Sequence, residues 1–384
     1  MKISSIQTFI VRSSLRNFLL LEIQTSSGMV GLGEATVEGR EKTVEAAIKE
    51  NARYLIGKDP HNIEELWQAM YKGAFWRGGP ILNSAISGIE IALWDILGKE
   101  LGAPIHQFLG GPCRSKIRAY TWPEGDTIEE KIESSKEFVK RNGFTAIKFA
   151  PYSSVEGDVK PESHITRNSF GEAVRRVRMM REALGDEIDI LIDFHGRPTL
   201  SETVRLANEI EKYNPFFIEE PVTPENVDAV AIVRNSTRTP IATGERLFTK
   251  FGFRELLEKN ACQIVQPDLC HAGGILEGKK IAAMAECYFV QVAPHNPLSP
   301  VSTAACLQLD SCIPNFCIQE CTSSDMEFKK KLIKNCPEIH EGHFEIPSRP
   351  GLGIELNHDV INDRPYEEKD LPRMRRDDGS IAEW

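Results

Sequence analysis

Three carboxylates stand at equal intervals along this chain: Asp193 ends the run ILID, Glu219 lies in FFIEEP 26 residues later, and Glu245 in IATGER after another 26. Each follows a short apolar run, so the spacing predicts side chains at the ends of consecutive strands, with neighbours about 4.8 Å apart. Acids that close repel one another unless a cation joins them, and an all-oxygen set with room for water and substrate suits Mg²⁺. Alone, each acid would read as a surface residue of an acidic chain; the repeat argues otherwise. Strand parity leaves Glu219 and Glu220 as alternatives, because adjacent residues face opposite sides. His195, two residues beyond Asp193, projects to the same side and has the chemistry of a general acid. Asp268 and His295 close two further adjacent runs. An Asp that accepts from one imidazole nitrogen fixes its tautomer and makes the other nitrogen a better base, although a structural ion pair has the same composition. Glu320 closes the last run and, if protonated, could donate to a substrate oxygen or a developing oxyanion.

These residues need a common edge. Lys148 (AIKF), Asp193, Glu219, Glu245, Asp268, His295 and Glu320 end apolar runs at intervals of 45, 26, 26, 23, 27 and 25, the length of a repeated strand, loop and helix. With Ile117 to Tyr120 there are eight runs, enough to close a parallel barrel, although an open doubly wound sheet has similar texture. The longest interval contains a polar loop, Pro151 to Phe170, expected as a lid. Ahead of the repeat, alternation over Ile3 to Val11, Phe18 to Thr25 and Val30 to Ala35 predicts a small antiparallel sheet. Helical periodicity follows over Lys42 to Ile56, Ile63 to Tyr71 and Leu82 to Leu101. The expected organisation is an α+β domain over 1–115, a catalytic β/α domain over 116–340, and a segment over 341–384 that returns to the first domain.

The 384 residues carry 46 Lys and Arg against 56 Asp and Glu, a net charge of −10, with no concentrated basic patch, so nucleic acid and anionic membranes are poor partners. Met1 to Phe9 lacks a leader pattern and no eighteen apolar residues run in succession, so the chain is expected to be cytoplasmic. The 9 dispersed cysteines form no C-x-x-C pair, which fits reduced core fillers. Gly273, Gly278 and Lys279 match a phosphate-binding loop except that Lys280 stands where Ser or Thr is needed, and Gly31-Leu32-Gly33-Glu34 lacks the third glycine of a dinucleotide motif.

Taken together, VEGREKTVEAA (37–47), RGGPIL (77–82), ALWDILGK (92–99), DFHGR (193–197), FIEEP (217–221), GERLF (244–248), QPDLCHAGGI (266–275), APHNPLSP (293–300) and DGSIAEW (378–384) resemble the mandelate racemase/muconate lactonizing enzyme subgroup of the enolase superfamily, and within it the sugar-acid dehydratases. The likeness runs nearly end to end. It implies a modified TIM barrel, (β/α)₇β, with an N-terminal α+β capping domain, and Mg²⁺ on Asp193, Glu219 and Glu245, which selects Glu219 over Glu220. By the same likeness His295, supported by Asp268, removes the C2 proton of an acid sugar, His195 protonates the departing C3 hydroxyl, and Glu320 assists. The expected reaction is dehydration of an aldonate, galactonate first and gluconate or arabinonate next, to a 2-keto-3-deoxy sugar acid by a homo-oligomer. Loops at Leu15 to Phe18 and Trp76 to Gly79 are expected to read the distal hydroxyls. Racemising relatives carry Lys-x-Lys where this chain has Lys148, Phe149 and Ala150, which lowers the weight of an epimerase or cycloisomerase; a non-catalytic binding protein carries least.

Overall fold

The computed structural model describes residues 1–151, 164–165, 169–371, 373–376 and 378–383. Strands β1 (Ile3–Arg12), β2 (Asn17–Thr25) and β3 (Val30–Glu34) form an antiparallel meander. Helices α1 (Glu41–Leu55), α2 (Ile63–Lys72) and α3 (Gly79–Leu101) follow. By length and composition α3 could cross a membrane, but it is the buried core helix of this unit, apolar on nearly every side because neighbours cover it on nearly every side. Its contact with the sheet explains the two glycines of β3: a Cβ on Gly31 or Gly33 would lie 2.1 Å from the Ala92 or Gly88 carbonyl oxygen of α3.

The repeat then unfolds as anticipated. Strands β4 (Lys116–Tyr120), β5 (Ala146–Phe149), β7 (Asp189–Asp193), β8 (Phe217–Glu219), β9 (Ile241–Thr243), β10 (Ile264–Val265), β11 (Gln291–Val292) and β12 (Gln319–Glu320) alternate with α4 (Ile128–Asn142), α5 (Ser169–Leu184), α6 (Leu200–Ile210), α7 (Val227–Ser236), α8 (Thr249–Glu258), α9 (Ile275–Cys287) and α10 (Pro300–Cys312). Parallel pairing runs continuously from β5 to β11. The bridges Thr121 to Ile147 and Val292 to Phe316, with the β4–β12 pair, close the ring, so the open-sheet alternative does not apply. Inside it Tyr120, Ala146, Leu191, Phe217, Ala242, Ile264, Ala293 and Ile318 form one packed layer. Most of the proposed lid, 152–163 and 166–168, lies outside the described residues; between them β6 (His164–Ile165) pairs through its backbone with a late strand, Arg375–Arg376. Further on, His343–Glu345 adds an antiparallel partner to β4, Val11 bridges Pro365, and Asn17 exchanges hydrogen bonds with the Glu367 backbone.

A helix that follows a barrel strand begins at the strands' C-terminal edge, and the N-terminal unit grips that edge with buried carboxylates. Glu34 accepts from Ser299 Oγ and, at 3.0 Å, from Ser302 N at the start of α10. Glu90 of α3 accepts from Ile275 N at 2.7 Å, Leu276 N at 2.8 Å and Trp94 Nε1 at 2.8 Å. Glu90 thereby caps α9 where a phosphate would bind if Gly273 to Lys279 were a nucleotide loop, and a Cβ on Gly274 would lie 2.0 Å from its Oε2. Burial pushes Glu90 up to about 8, against the three donors that favour its ionised form. The folded state therefore holds a proton that the unfolded chain releases above 4.5, and this contribution to stability is lost as pH rises from there through about 8. Glu90→Gln, which cannot titrate, should show a flatter stability profile over that window, by up to about 1.4 kcal/mol per pH unit in denaturant titrations. Parallel profiles for the two proteins would mean that Glu90 stays ionised.

Candidate active site

Register brings the acids together. Asp193 pairs with Glu219 across β7 and β8, and Glu219 pairs with Ala242, so Glu245 sits in the loop just beyond β9. Asp193 and Glu219 are buried and Glu245 nearly so. Beyond Asp193 the chain turns sharply: His195 has φ +50° and its N–H donates to Asp193 Oδ1 at 2.9 Å. A left-handed residue with a side chain costs about 1–2 kcal/mol, which this bond and that of Gly196 N to Glu220 O help offset. The turn sets His195 Nε2 3.3 Å from Asp193 Oδ2. Glu220 takes the other side of the strand, accepting from Thr243 Oγ1, Gly244 N at 3.1 Å and Arg246 Nε at 2.7 Å, so it braces the loop that presents Glu245.

Lys148, which sequence reasoning left out of the candidate site, is buried at its centre. Its Nζ lies 2.6 Å from Glu219 Oε1, 3.0 Å from Glu320 Oε1 and 3.7 Å from Asp193 Oδ2. The faces of Trp122 and Tyr120 stand 4.5 and 5.3 Å from it. Burial works against its charge, but Glu219 and Glu320 hold its pKa well above the usual value. Glu320 receives the indole N–H of Trp122 at 2.6 Å and Asn296 N at 2.7 Å. Burial opposes ionisation here too, yet Lys148 and His295 hold Glu320 below the ordinary carboxylate range. With three donors converging on it, Glu320 is placed here as an acceptor, and this arrangement favours its ionised form over the protonated donor.

On the far wall, His295 Nδ1 meets Asp268 Oδ2 at 2.8 Å and Nε2 meets Glu245 Oε2 at 2.9 Å. Burial pulls this imidazole down, but Glu245 and Asp268 hold its pKa well above 6.5. Cys270 N donates to Asp268 Oδ1 at 2.7 Å, fixing the carboxylate. His271 reaches behind the dyad, with Nε2 3.6 Å from Asp268 Oδ2 and Nδ1 2.8 Å from Ser84 Oγ of α3, so the N-terminal unit touches the dyad's support. His195 differs: burial, then Arg197, pull it down to about 3, so it is neutral in this arrangement. Strands β7 and β11 are four steps apart in the ring of eight, which puts the two histidines on opposite walls.

Sequence reasoning put Lys148 at this edge, to steady a substrate carboxylate or neutralise the acids, but outside the catalytic set, and it missed Trp122, His271 and Ser84. Trp122 follows the first barrel strand as His195 follows β7, a signal open to the same scan of strand ends. Of the loops expected to read substrate, Leu15 and Trp76 are exposed, whereas Phe18 is buried in the N-terminal core. At 1% exposure it has no surface to offer a polar substrate.

Among the described residues no three acids or imidazoles already surround one point, because Lys148 and His295 divide the carboxylates. The set still fits a hard cation. Asp193 Oδ2 and Glu219 Oε2 are buried and accept no hydrogen bond. Burial pushes Glu219 up to about 7 and, with Glu219 beside it, Asp193 well above the carboxylate range, even with Lys148 opposing both shifts, so the pair favours a further cation.

The profile of the mandelate racemase/muconate lactonizing enzyme N-terminal domain matches residues 3–110, and that of the enolase C-terminal domain-like family matches 130–360. D-galactonate dehydratase of Pectobacterium atrosepticum is 42% identical with 100% of both chains covered, and that of Ralstonia pickettii 42% with 96% of both. Among solved structures, an enolase from Pantoea ananatis with bound D-gluconate and Mg has a TM-score of 0.91 at 30% identity, covering 100% of this chain and 99% of that one. An enolase superfamily member from Salmonella Typhimurium has a TM-score of 0.88 at 31% identity, covering 95% and 98%. With both halves matched and the barrel edge assembled as described, this chain belongs to the mandelate racemase/muconate lactonizing enzyme group of the enolase superfamily.

Proposed function

We infer that this protein is a hydro-lyase that dehydrates an acid sugar, galactonate foremost, to the 2-keto-3-deoxy acid in a Mg²⁺-dependent reaction. Full-length 42% identity to D-galactonate dehydratases carries the substrate class. The opposed histidines carry the reaction class, because elimination needs a base for C2 and an acid for the C3 oxygen. Asp193, Glu219 and Glu245 would hold the metal. When bound, Mg²⁺ supplies positive charge that lowers the cost of an enediolate at the substrate carboxylate.

The chain's own residues supply the rest. Once released from Glu245, which otherwise holds the imidazole protonated, His295 Nε2 takes the C2 proton, with Asp268 holding the tautomer at Nδ1. Lys148 brings a fixed ammonium to a water-poor site, where charge on the enediolate is stabilised without reorganisation, and Glu320 anchors that ammonium. His195 delivers a proton to the leaving hydroxyl from the opposite wall; negative charge arriving with the substrate favours its protonated form. Ala150 stands where racemising relatives carry the second lysine of Lys-x-Lys, which argues against two-base racemisation.

A panel of aldonates with Mg²⁺ should give a 2-keto acid fastest from galactonate, read with a carbonyl-specific reagent. Epimerised substrate with no 2-keto acid would favour the epimerase reading instead. A homo-oligomeric, cytoplasmic enzyme belongs to the same proposal, and light scattering on the purified chain tests the assembly.

A further inference from the structure

We propose that Trp122 is a positioning residue for both halves of this reaction: its indole N–H orients Glu320, and through it Lys148, while its ring face restrains His195. The assignment rests on the dehydration just described. Trp122 leaves β4 beside β12, where Tyr120 is paired with Glu320. The backbone before it is pinned, since Thr121 O accepts from Lys148 N at 2.9 Å and Thr121 Oγ1 lies 2.7 Å from Ser323 Oγ. From this fixed root the half-buried indole reaches two functional groups at once. Its Nε1 donates to Glu320 Oε1 at 2.6 Å, the oxygen that also lies 3.0 Å from Lys148 Nζ. Its ring lies nearly parallel to the His195 imidazole, at 23° with centroids 6.3 Å apart.

Indole nitrogen is a donor only, so Trp122 neither takes nor relays the protons of the reaction. It holds Glu320 Oε1, the oxygen that also meets the ammonium while Asn296 N holds Oε2, and therefore helps set where Lys148's charge lies relative to the developing enediolate. The flat face limits rotation of His195 about its ring axis, which keeps a nitrogen directed at the leaving oxygen. One side chain thus serves two steps through two different surfaces.

Two substitutions separate them. Trp122→Phe keeps a face and loses the N–H, so exchange of the C2 hydrogen with solvent deuterium and dehydration should fall together, by about tenfold or more, as for a lost hydrogen bond to a charged group. Trp122→Gln offers an N–H the same number of bonds from Cα and loses the face. Dehydration should then fall about tenfold or more and exchange by a smaller factor, since the face is lost from His195 and from Lys148, 4.5 Å away, while the N–H to Glu320 is kept. Proton NMR of galactonate incubated in D₂O reads both rates. A readout independent of turnover is the indole N–H spectrum of ¹⁵N-tryptophan-labelled protein: of the 5 tryptophans, the resonance absent from Trp122→Phe should shift markedly in Glu320→Gln. Phe and Gln variants with the same effects on both rates, or an indole resonance indifferent to Glu320→Gln, would overturn the assignment while the activity stands. A wild-type protein that neither exchanges nor dehydrates any aldonate would overturn the activity and this role with it.

Discussion

Replacement of His295 by Asn is expected to abolish both dehydration and C2 exchange, a loss of at least about 10²- to 10⁴-fold, because nothing else at the site is placed as a base. Its Nδ1 is committed to Asp268 and its Nε2 is directed into the carboxylate cluster, so a neutral amide there offers neither basicity nor the same charge balance. His195→Asn should behave differently. The dyad, Lys148 and the acids survive it, and the enediolate can form and return. Exchange should persist while dehydration falls by about 10²-fold or more. Nuclear magnetic resonance in D₂O distinguishes the two variants. Exchange retained by His295→Asn would point to Lys148 as the base, and exchange lost in folded His195→Asn would show that His195 does more than protonate the leaving group.

Chelation should remove activity reversibly, and added Mg²⁺ should raise the thermal midpoint, with about 2.7 kcal/mol of stabilisation at a concentration a hundred times Kd. The source is the pair of buried oxygens on Asp193 and Glu219 that accept no hydrogen bond. Glu219→Gln should lose both the activity and most of the Mg²⁺-dependent shift. Glu220→Gln should keep the shift but start from a less stable protein, because it removes the buried charge facing Arg246, at a cost of about 1–2 kcal/mol since Arg246 is itself 35% exposed. Calorimetry on both variants with and without Mg²⁺ checks the contrast. A Mg²⁺ shift lost in Glu220→Gln and kept in Glu219→Gln would reverse the parity, and full turnover in metal-free protein would remove the metal from the site.

Much of this arrangement was legible because parallel barrel strands are buried on both faces and write themselves as apolar runs, each closing at the same edge. Near-regular spacing, 23 to 27 residues, therefore placed Asp193, Glu219, Glu245, Asp268, His295 and Glu320 at one edge, and the order of the runs put the two histidines on different strands. The helices of the first unit were legible for a related reason: α1 and α2 bury one stripe, and that stripe has helical period. The parity of Glu219 was not legible from spacing, since two adjacent acids carry the same composition and only the turn at Glu220, with φ +43°, shows which one faces Lys148. Nor was the state of Glu320. Ionisation depends on how many donors converge on a carboxylate, and those of Trp122, Lys148 and Asn296 come from separate strands and loops. The same holds for Glu90 and Ser84 on α3, which read as ordinary helix positions until the fold places them against α9 and His271. Periodicity along a chain records which face is buried, so the sequence by itself determined the elements and the edge where the chemistry gathers. Charge state, parity and partners depend on distances between residues remote in sequence, and those the tertiary structure alone decided.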